Sequence, residues 1–114
     1  MFKFHDLMHS LGGLHDAVPL ALIWRNDERR LEIQFRDIYA NQKGLPEYPG
    51  AKQGSIILDS VELIEIQLNL TVPNLRVYDW TSHDCPDGYY QTTVTFSPEG
   101  KVIAKYKNGV IRTT

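Results

Sequence analysis

Residues 30–36, "RLEIQFR", alternate without a break. Leu31, Ile33 and Phe35 fall on one parity, and Arg30, Glu32, Gln34 and Arg36 on the other. A period of two sends successive side chains to opposite faces of an extended strand, so this segment lies on a core with its other face in water. The same period recurs along much of the chain. Val18, Leu20, Leu22 and Trp24 alternate with Ala17, Pro19, Ala21 and Ile23, and "RNDER" joins the two runs with Asn and Asp where a tight bend favours them. Pro19 has no N–H to give, so its strand begins there or lies at an edge. Residues 55–70 form a long strand or a pair of strands. Ile64, Ile66, Leu68 and Leu70 share one parity, Val61 and Leu63 the other, and the change over 59–63 predicts a bulge or bend that exchanges faces. "LRVYDW" (75–80), "YYQTTVTF" (89–96) and "KVIAKY" (101–106) complete the strands. They are separated by a turn at 72–74, a loop "TSHDCPDG" (81–88) and "SPEG", whose Pro and Gly suit a tight hairpin. Asn108-Gly109 predicts a last turn towards Val110 and Ile111.

Six or seven strands joined this closely are antiparallel, because parallel neighbours need crossovers of about a dozen residues or more. Ahead of them, Phe4, Leu7, Met8 and Leu11 stand at i, i+3, i+4 and i+7, which predicts a short helix over 2–11 ended by Gly12-Gly13. The expected fold is mainly β: an antiparallel six- to seven-stranded curled sheet or small sandwich with one short N-terminal helix, in a single domain over 1–114. With 42% hydrophobic and 23% charged residues, the chain has the composition of a folded domain and not of a disordered one. Only 39–54, "YANQKGLPEYPGAKQG", lacks periodicity. Its two Tyr and its Leu predict an ordered, partly packed excursion, longer than the roughly 12–15 residues at which connections become uncommon.

The net charge is −2 and the 12 Lys and Arg are scattered, which argues against nucleic acid as a partner. Cys85 is the lone cysteine, so no intrachain disulfide forms, as in proteins of a reducing compartment. The opening segment is interrupted by His5, Asp6, His9 and Ser10 and lacks the apolar centre of a secretory signal; no apolar run reaches membrane-spanning length. A cytoplasmic location without membrane attachment is expected.

Two His-Asp doublets, His5-Asp6 and His15-Asp16, raise the question of a metal-dependent hydrolase using His5, His9, His15 and Asp16. Hydrolases of that kind hold their ligands on several helices, and about ten helical residues are expected here. His5 and His9 share a helix face, but without the Glu of an H-E-x-x-H arrangement the zinc pattern is not met. Asp16, after a glycine bend and just before a strand, suits binding to nearby backbone N–H groups, and His15 can pack its ring and offer one nitrogen to a carbonyl. "HDCPD" (83–87) gathers His, Asp and Cys, yet the charges of Asp84 and Asp87 disfavour a thiolate nucleophile. One Cys and one His also fall short of a four-ligand structural metal site. Phosphate-loop patterns are missing, and Glu62 and Glu65 fall on opposite faces of a regular strand. No catalytic residue, metal or cofactor is therefore expected.

Aromatic surface remains. Tyr39, Tyr48, Tyr78, Trp80, Tyr89 and Tyr90 lie in or beside the two long loops. Tyr and Trp supply large contact area at modest entropy cost. The expected partner surface comprises Tyr48, Tyr78, Trp80, His83, Asp84 and Tyr89, although aromatics on strands also fill cores.

The order of parts over 13–37, with "LHDA" entering a strand and a charged hairpin following, resembles small β-rich immunity proteins of bacterial polymorphic toxin systems and neighbouring uncharacterised families. The excursion "GLPEYPGAKQG" has no counterpart in that likeness. The resemblance implies a protein that binds and neutralises a cognate toxin and is not an enzyme, with the His-Asp pair a conformational marker. Two other classes stand beside it: the metal-dependent hydrolase, and a structural subunit that forms a homo-oligomer through an exposed sheet edge.

Overall fold

The computed structural model describes residues 3–113. One helix, α1 (Lys3–Ser10), and a 3-10 turn (Gly12–Leu14) precede the strands β1 (Pro19–Arg25) and β2 (Arg30–Phe35). A second 3-10 turn (Ala40–Gln42) lies in the aperiodic excursion. Then come β3 (Gly54–Asp59), β4 (Leu63–Gln67), β5 (Arg76–Asp84), β6 (Tyr90–Ser97), β7 (Lys101–Tyr106) and β8 (Asn108–Thr113). All pairings are antiparallel, in two four-stranded sheets ordered β1-β2-β3-β8 and β4-β7-β6-β5. The protein is mainly β, as the alternation predicts.

The two sheets are halves of one. β3 runs on into β4, and β7 into β8, so one bent hairpin spans both. Its bonds continue through the corner: Lys107 N–H donates to Asp59 O (3.2 Å) and Glu62 N–H to Lys105 O (2.8 Å). Ser60 takes a left-handed backbone (φ 56°), Val61 turns inward to full burial, and Val61 N–H donates to Arg29 O in the β1–β2 turn (2.9 Å). This is the face-exchanging bend that the parity change over 59–63 predicts. Folding the sheet over brings Leu31, Ile33, Phe35, Ile56 and Leu58 of one half against Val77, Val94, Phe96, Val102 and Tyr106 of the other.

Helix α1 buries Phe4 and Met8 on this core, and Leu11 just past its end is buried too, while Leu7 of the expected apolar face is exposed. The half-buried face position goes to His5 instead. Its Nε2 lies 3.3 Å from the hydroxyl of Tyr106, which has no exposed surface, and its ring stands edge-on to Tyr90 at 4.8 Å. The Tyr106 hydroxyl meets Thr92 Oγ1 (2.6 Å), which meets Ser82 Oγ (2.7 Å), so a line of hydroxyls answers the polar groups buried in this half. Burial holds His5 below its ordinary pKa, against the opposing pull of Asp84 and Asp6. Residue 2, where the helix was expected to begin, lies outside the described residues.

Two boundaries differ from expectation. Thr81–Asp84, expected as loop, completes β5, because each residue from Thr81 to Asp84 finds a partner on β6 down to Asp84↔Tyr90. Asn108-Gly109 is no turn either; it starts β8, pairing with Asp59 and Leu58. Gly109 is needed there for space. An added Cβ would lie 2.7–2.9 Å from the ring of Phe4. Gly109→Ala is accordingly expected to lower stability by about 1–3 kcal/mol through overpacking, read as a reduced urea midpoint at unchanged slope.

Candidate interaction site around His15 and Asp16

Between α1 and β1 the backbone is wound tightly. Gly12 (φ 66°), Gly13 (65°), Leu14 (59°) and Asp16 (70°) all occupy the left-handed region, which costs non-glycine residues energy that the surroundings must offset. Leu14 is held by complete burial. Asp16 is held by main-chain pairing with β5: Asp16 N–H donates to Val77 O (2.8 Å) and Val77 N–H to Ala17 O (2.9 Å). At Gly12 a side chain would overlap Asn41, and at Gly13 it would press on Trp80 at 3.2 Å, so the glycines also let this turn approach its neighbours closely.

The wound turn presents the His-Asp pair at the surface. His15 Nδ1–H donates to Tyr78 O (2.9 Å), the imidazole-to-carbonyl contact expected. Its Nε2 lies 3.6 Å from Asp16 Oδ1, and Arg76 Nε lies 3.4 Å from the same oxygen. Asp16 thus turns its carboxylate to side chains, where a backbone N–H was expected. With the partners about half exposed, these contacts orient the groups and contribute little stability, about 0–1 kcal/mol each.

Tyr78 owes its position to a break in register: Val77 pairs with Phe96 and Asp79 with Thr95, leaving Tyr78 between them as an extra residue. A bulge re-aims the side chain it carries. Tyr78 is 64% exposed, the one aromatic among the large exposed hydrophobic side chains of the described residues. Its ring meets that of His15 edge-on at 6.1 Å.

On the other side of Asp16 opens a cleft of about 470 Å³, lined among others by Arg36, Asp37, Asn41, Lys43 and Tyr48. Its organiser is Asp37. This carboxylate is only 9% exposed and accepts from Tyr39 N–H (2.9 Å), Lys52 N–H (3.1 Å) and the Tyr48 hydroxyl (2.6 Å). Residues 39 and 52 stand at opposite ends of the excursion, so one side chain pins both ends and Tyr48 between them. Desolvation pushes the Asp37 carboxyl up, but the Tyr48 and backbone bonds, with Lys43 nearby, outweigh it and hold it below its ordinary value. The same bond pushes the Tyr48 hydroxyl up.

The six residues expected at a partner surface therefore divide. Tyr48 and Tyr78 lie on the two sides of His15-Asp16. Trp80 does not face out: it is half-buried, edge-on to Phe4 at 6.3 Å, and its Nε1 is buried without an acceptor among the described residues. It anchors α1 because the bulge before it restores an inward parity. His83 and Asp84 are exposed at the far end of β5, about 17–20 Å along the strand from Tyr78. Tyr89 lies at that end too, beneath Lys105 and Lys107, whose ammonium groups sit 5.3 and 5.1 Å from its ring centre. Cys85 is half-buried in the intervening turn, its N–H bonded to Tyr89 O.

The histidines also separate. His5 abuts Tyr106, His9 borders a depression beside Gly12 and Gly13, and His15 abuts Tyr78. Among the described residues no three His, Cys, Asp or Glu side chains converge as a metal set, and no helix is long and apolar enough to cross a membrane. Asp37, Arg36, Lys43 and Arg76 were not anticipated. Asp37 had a legible signal, an Asp closing a strand ahead of an aperiodic loop, where short acids capture backbone N–H groups. The others had none, since isolated cations in sequence do not disclose a shared cleft. No protein-family model matches the chain, and no curated protein shows significant similarity to it.

Because its folded-state pKa is depressed, the Asp37 carboxylate contributes stability that is present above the ordinary carboxylate value and lost as pH falls through the folded one. Asp37→Asn is expected to cost about 1–2 kcal/mol at neutral pH. It should also flatten the acid limb of stability against pH, measured by urea unfolding. A residual slope from Glu32 should survive, since its bond from Gln34, helped by Ser55 against desolvation, holds it low as well.

Proposed function

We propose that this chain is a non-enzymatic protein-binding domain, acting in the bacterial cytoplasm as an immunity protein that neutralises a cognate toxin through the surface formed by Tyr78, His15, Asp16, Arg76 and the rim of the Tyr48 cleft. The observation that carries the reading is Tyr78: a bulge places a large aromatic ring in solvent while His15 holds the carbonyl beneath it. Exposing such a ring forgoes burial, and fixed aromatics flanked by Arg are the side chains that dominate protein interfaces. Asp16 and Arg76 on its side, and Arg36 and Lys43 lining the cleft on the other side of Asp16, supply a rim that selects a partner by charge. The "LHDA" likeness points the same way, and the wound backbone of 12–16 gives it a physical role, that of presenting the pair at the surface.

The test is genetic and biophysical. A neighbouring open reading frame should arrest growth when expressed alone and cease to do so beside this chain. Tyr78→Ala should remove the protection at an unchanged melting temperature, with a loss of binding of about 30-fold or more, as for an interface hot spot. Protection that persists in Tyr78→Ala, or a neighbour without effect on growth, would refute the reading.

A further inference from the structure

The two four-stranded sheets leave four edges, β1, β8, β4 and β5. Edge strands invite pairing with other chains, and proteins blunt them with proline, bulges, charge or a covering segment. Three are blunted here. β1 begins at Pro19 and breaks register at Leu20. β5 carries the Tyr78 bulge and is capped by Asp16 and Ala17 at Val77. β8 lies against α1, with the Phe4 ring over Gly109.

β4 has no proline, bulge or covering segment among the described residues, and its one charge is Glu65. Its register with β7 is regular from Leu63 to Gln67, and no backbone group of these residues bonds to any other segment among those described. Nor does it carry Pro, Lys or Arg; residues 53–75 hold three acids and no basic residue. Asp59 is taken by Arg30 (2.7 Å) and Glu62 lies 3.7 Å from Lys105, but Glu65 has no ion pair among the described residues. Ile66 is 45% exposed and points to the face away from Glu65, so a strand laid beside β4 gains apolar contact on the Ile66 face while its other face meets Glu65.

We infer that the β4 edge accepts an extended segment of another protein by strand addition, and that this segment alternates apolar residues with a Lys or Arg placed opposite Glu65. Main-chain bonds along the open edge provide the pairing, and the side chains opposite Ile66 and Glu65 provide the selection. A second copy of this chain is disfavoured by geometry. Glu65 is the central residue of β4, so a two-fold antiparallel pairing of two β4 strands in full overlap sets Glu65 directly against Glu65, and like charges directly opposite are destabilising. A cationic residue reverses that sign. The inference does not depend on the Tyr78 surface.

The experiment is a titration of the isotopically labelled chain with an end-blocked hexapeptide alternating lysine and valine, followed by amide shifts and amide exchange. Shifts confined to 62–68 and to β7, with slowed exchange of the outward amides of β4, are the expected result. The corresponding glutamate–valine peptide should bind about five-fold more weakly or not at all. Glu65→Lys should reverse that preference and Glu65→Gln should abolish it, while Tyr78→Ala leaves it intact. Shifts centred on β1, β5 or β8, no shifts with either peptide, or an unliganded dimer that already protects 63–67 would each overturn the inference.

Discussion

The corner at 59–62 and 106–108 governs the rest of the molecule. A flat antiparallel sheet made from these strands would leave its apolar face largely in water, since among the described residues one short helix is there to cover it. By bending one hairpin through Ser60 and Lys107, the sheet becomes its own partner and its two halves share a core. Backbone groups at the corner would otherwise be lost to pairing. They are recovered by Asp59, Lys105 and the Arg29 carbonyl, and Arg29 Nε further donates to Val61 O (3.2 Å). The β1–β2 turn is thus tied to the corner, which fixes where the Arg29–Trp24 contact and the far end of the sheet lie.

The consequences for the surface follow from how the folded sheet ends. At one side, Asp16 and Ala17 bridge to Val77 and close the gap between the start of β1 and the outer strand β5. Making that bridge requires a tight entry from α1, hence the run of left-handed residues. It also coincides with the two bulges, at Leu20 and Tyr78, both of which put a large side chain into solvent. On the opposite side the Val61–Arg29 bond stops at the corner, and beyond it no main-chain bond among the described residues reaches the outer edge of the regular strand β4. Strain, bulging and aromatic exposure at one margin and an unmodified edge at the other arise from the same folded-over sheet.

The excursion 39–54 shows how little is needed to order a long connection. It has two hydrophobic anchors of modest size, Tyr39 and Ala40, packed against the core, but its path is set chiefly by the Asp37 carboxylate and its three donors. A buried carboxylate with every donor in place is stable. The same group with one donor removed leaves polar atoms without water or partner, so the loop and the cleft beside it are organised together.

Alternation in 30–36, 89–96 and 101–106 fixed those strands, the antiparallel class and the buried set Leu31, Ile33 and Phe35, because a period of two leaves one face for the core whatever the neighbours are. The parity change fixed the bend, and Gly12-Gly13 the end of the helix. The extent of β5 through Asp84 and the strand role of Asn108-Gly109 were illegible: polar residues and a turn-like dipeptide take strand geometry only when a neighbouring strand supplies their bonds. The same holds for function. That Tyr78 is exposed and Trp80, two residues on, is packed inward depends on a single register shift that pairing with β6 decides. Local sequence dictated which residues can extend; which edges close, which ring faces water and which charges meet were settled only by contacts between segments far apart in the chain.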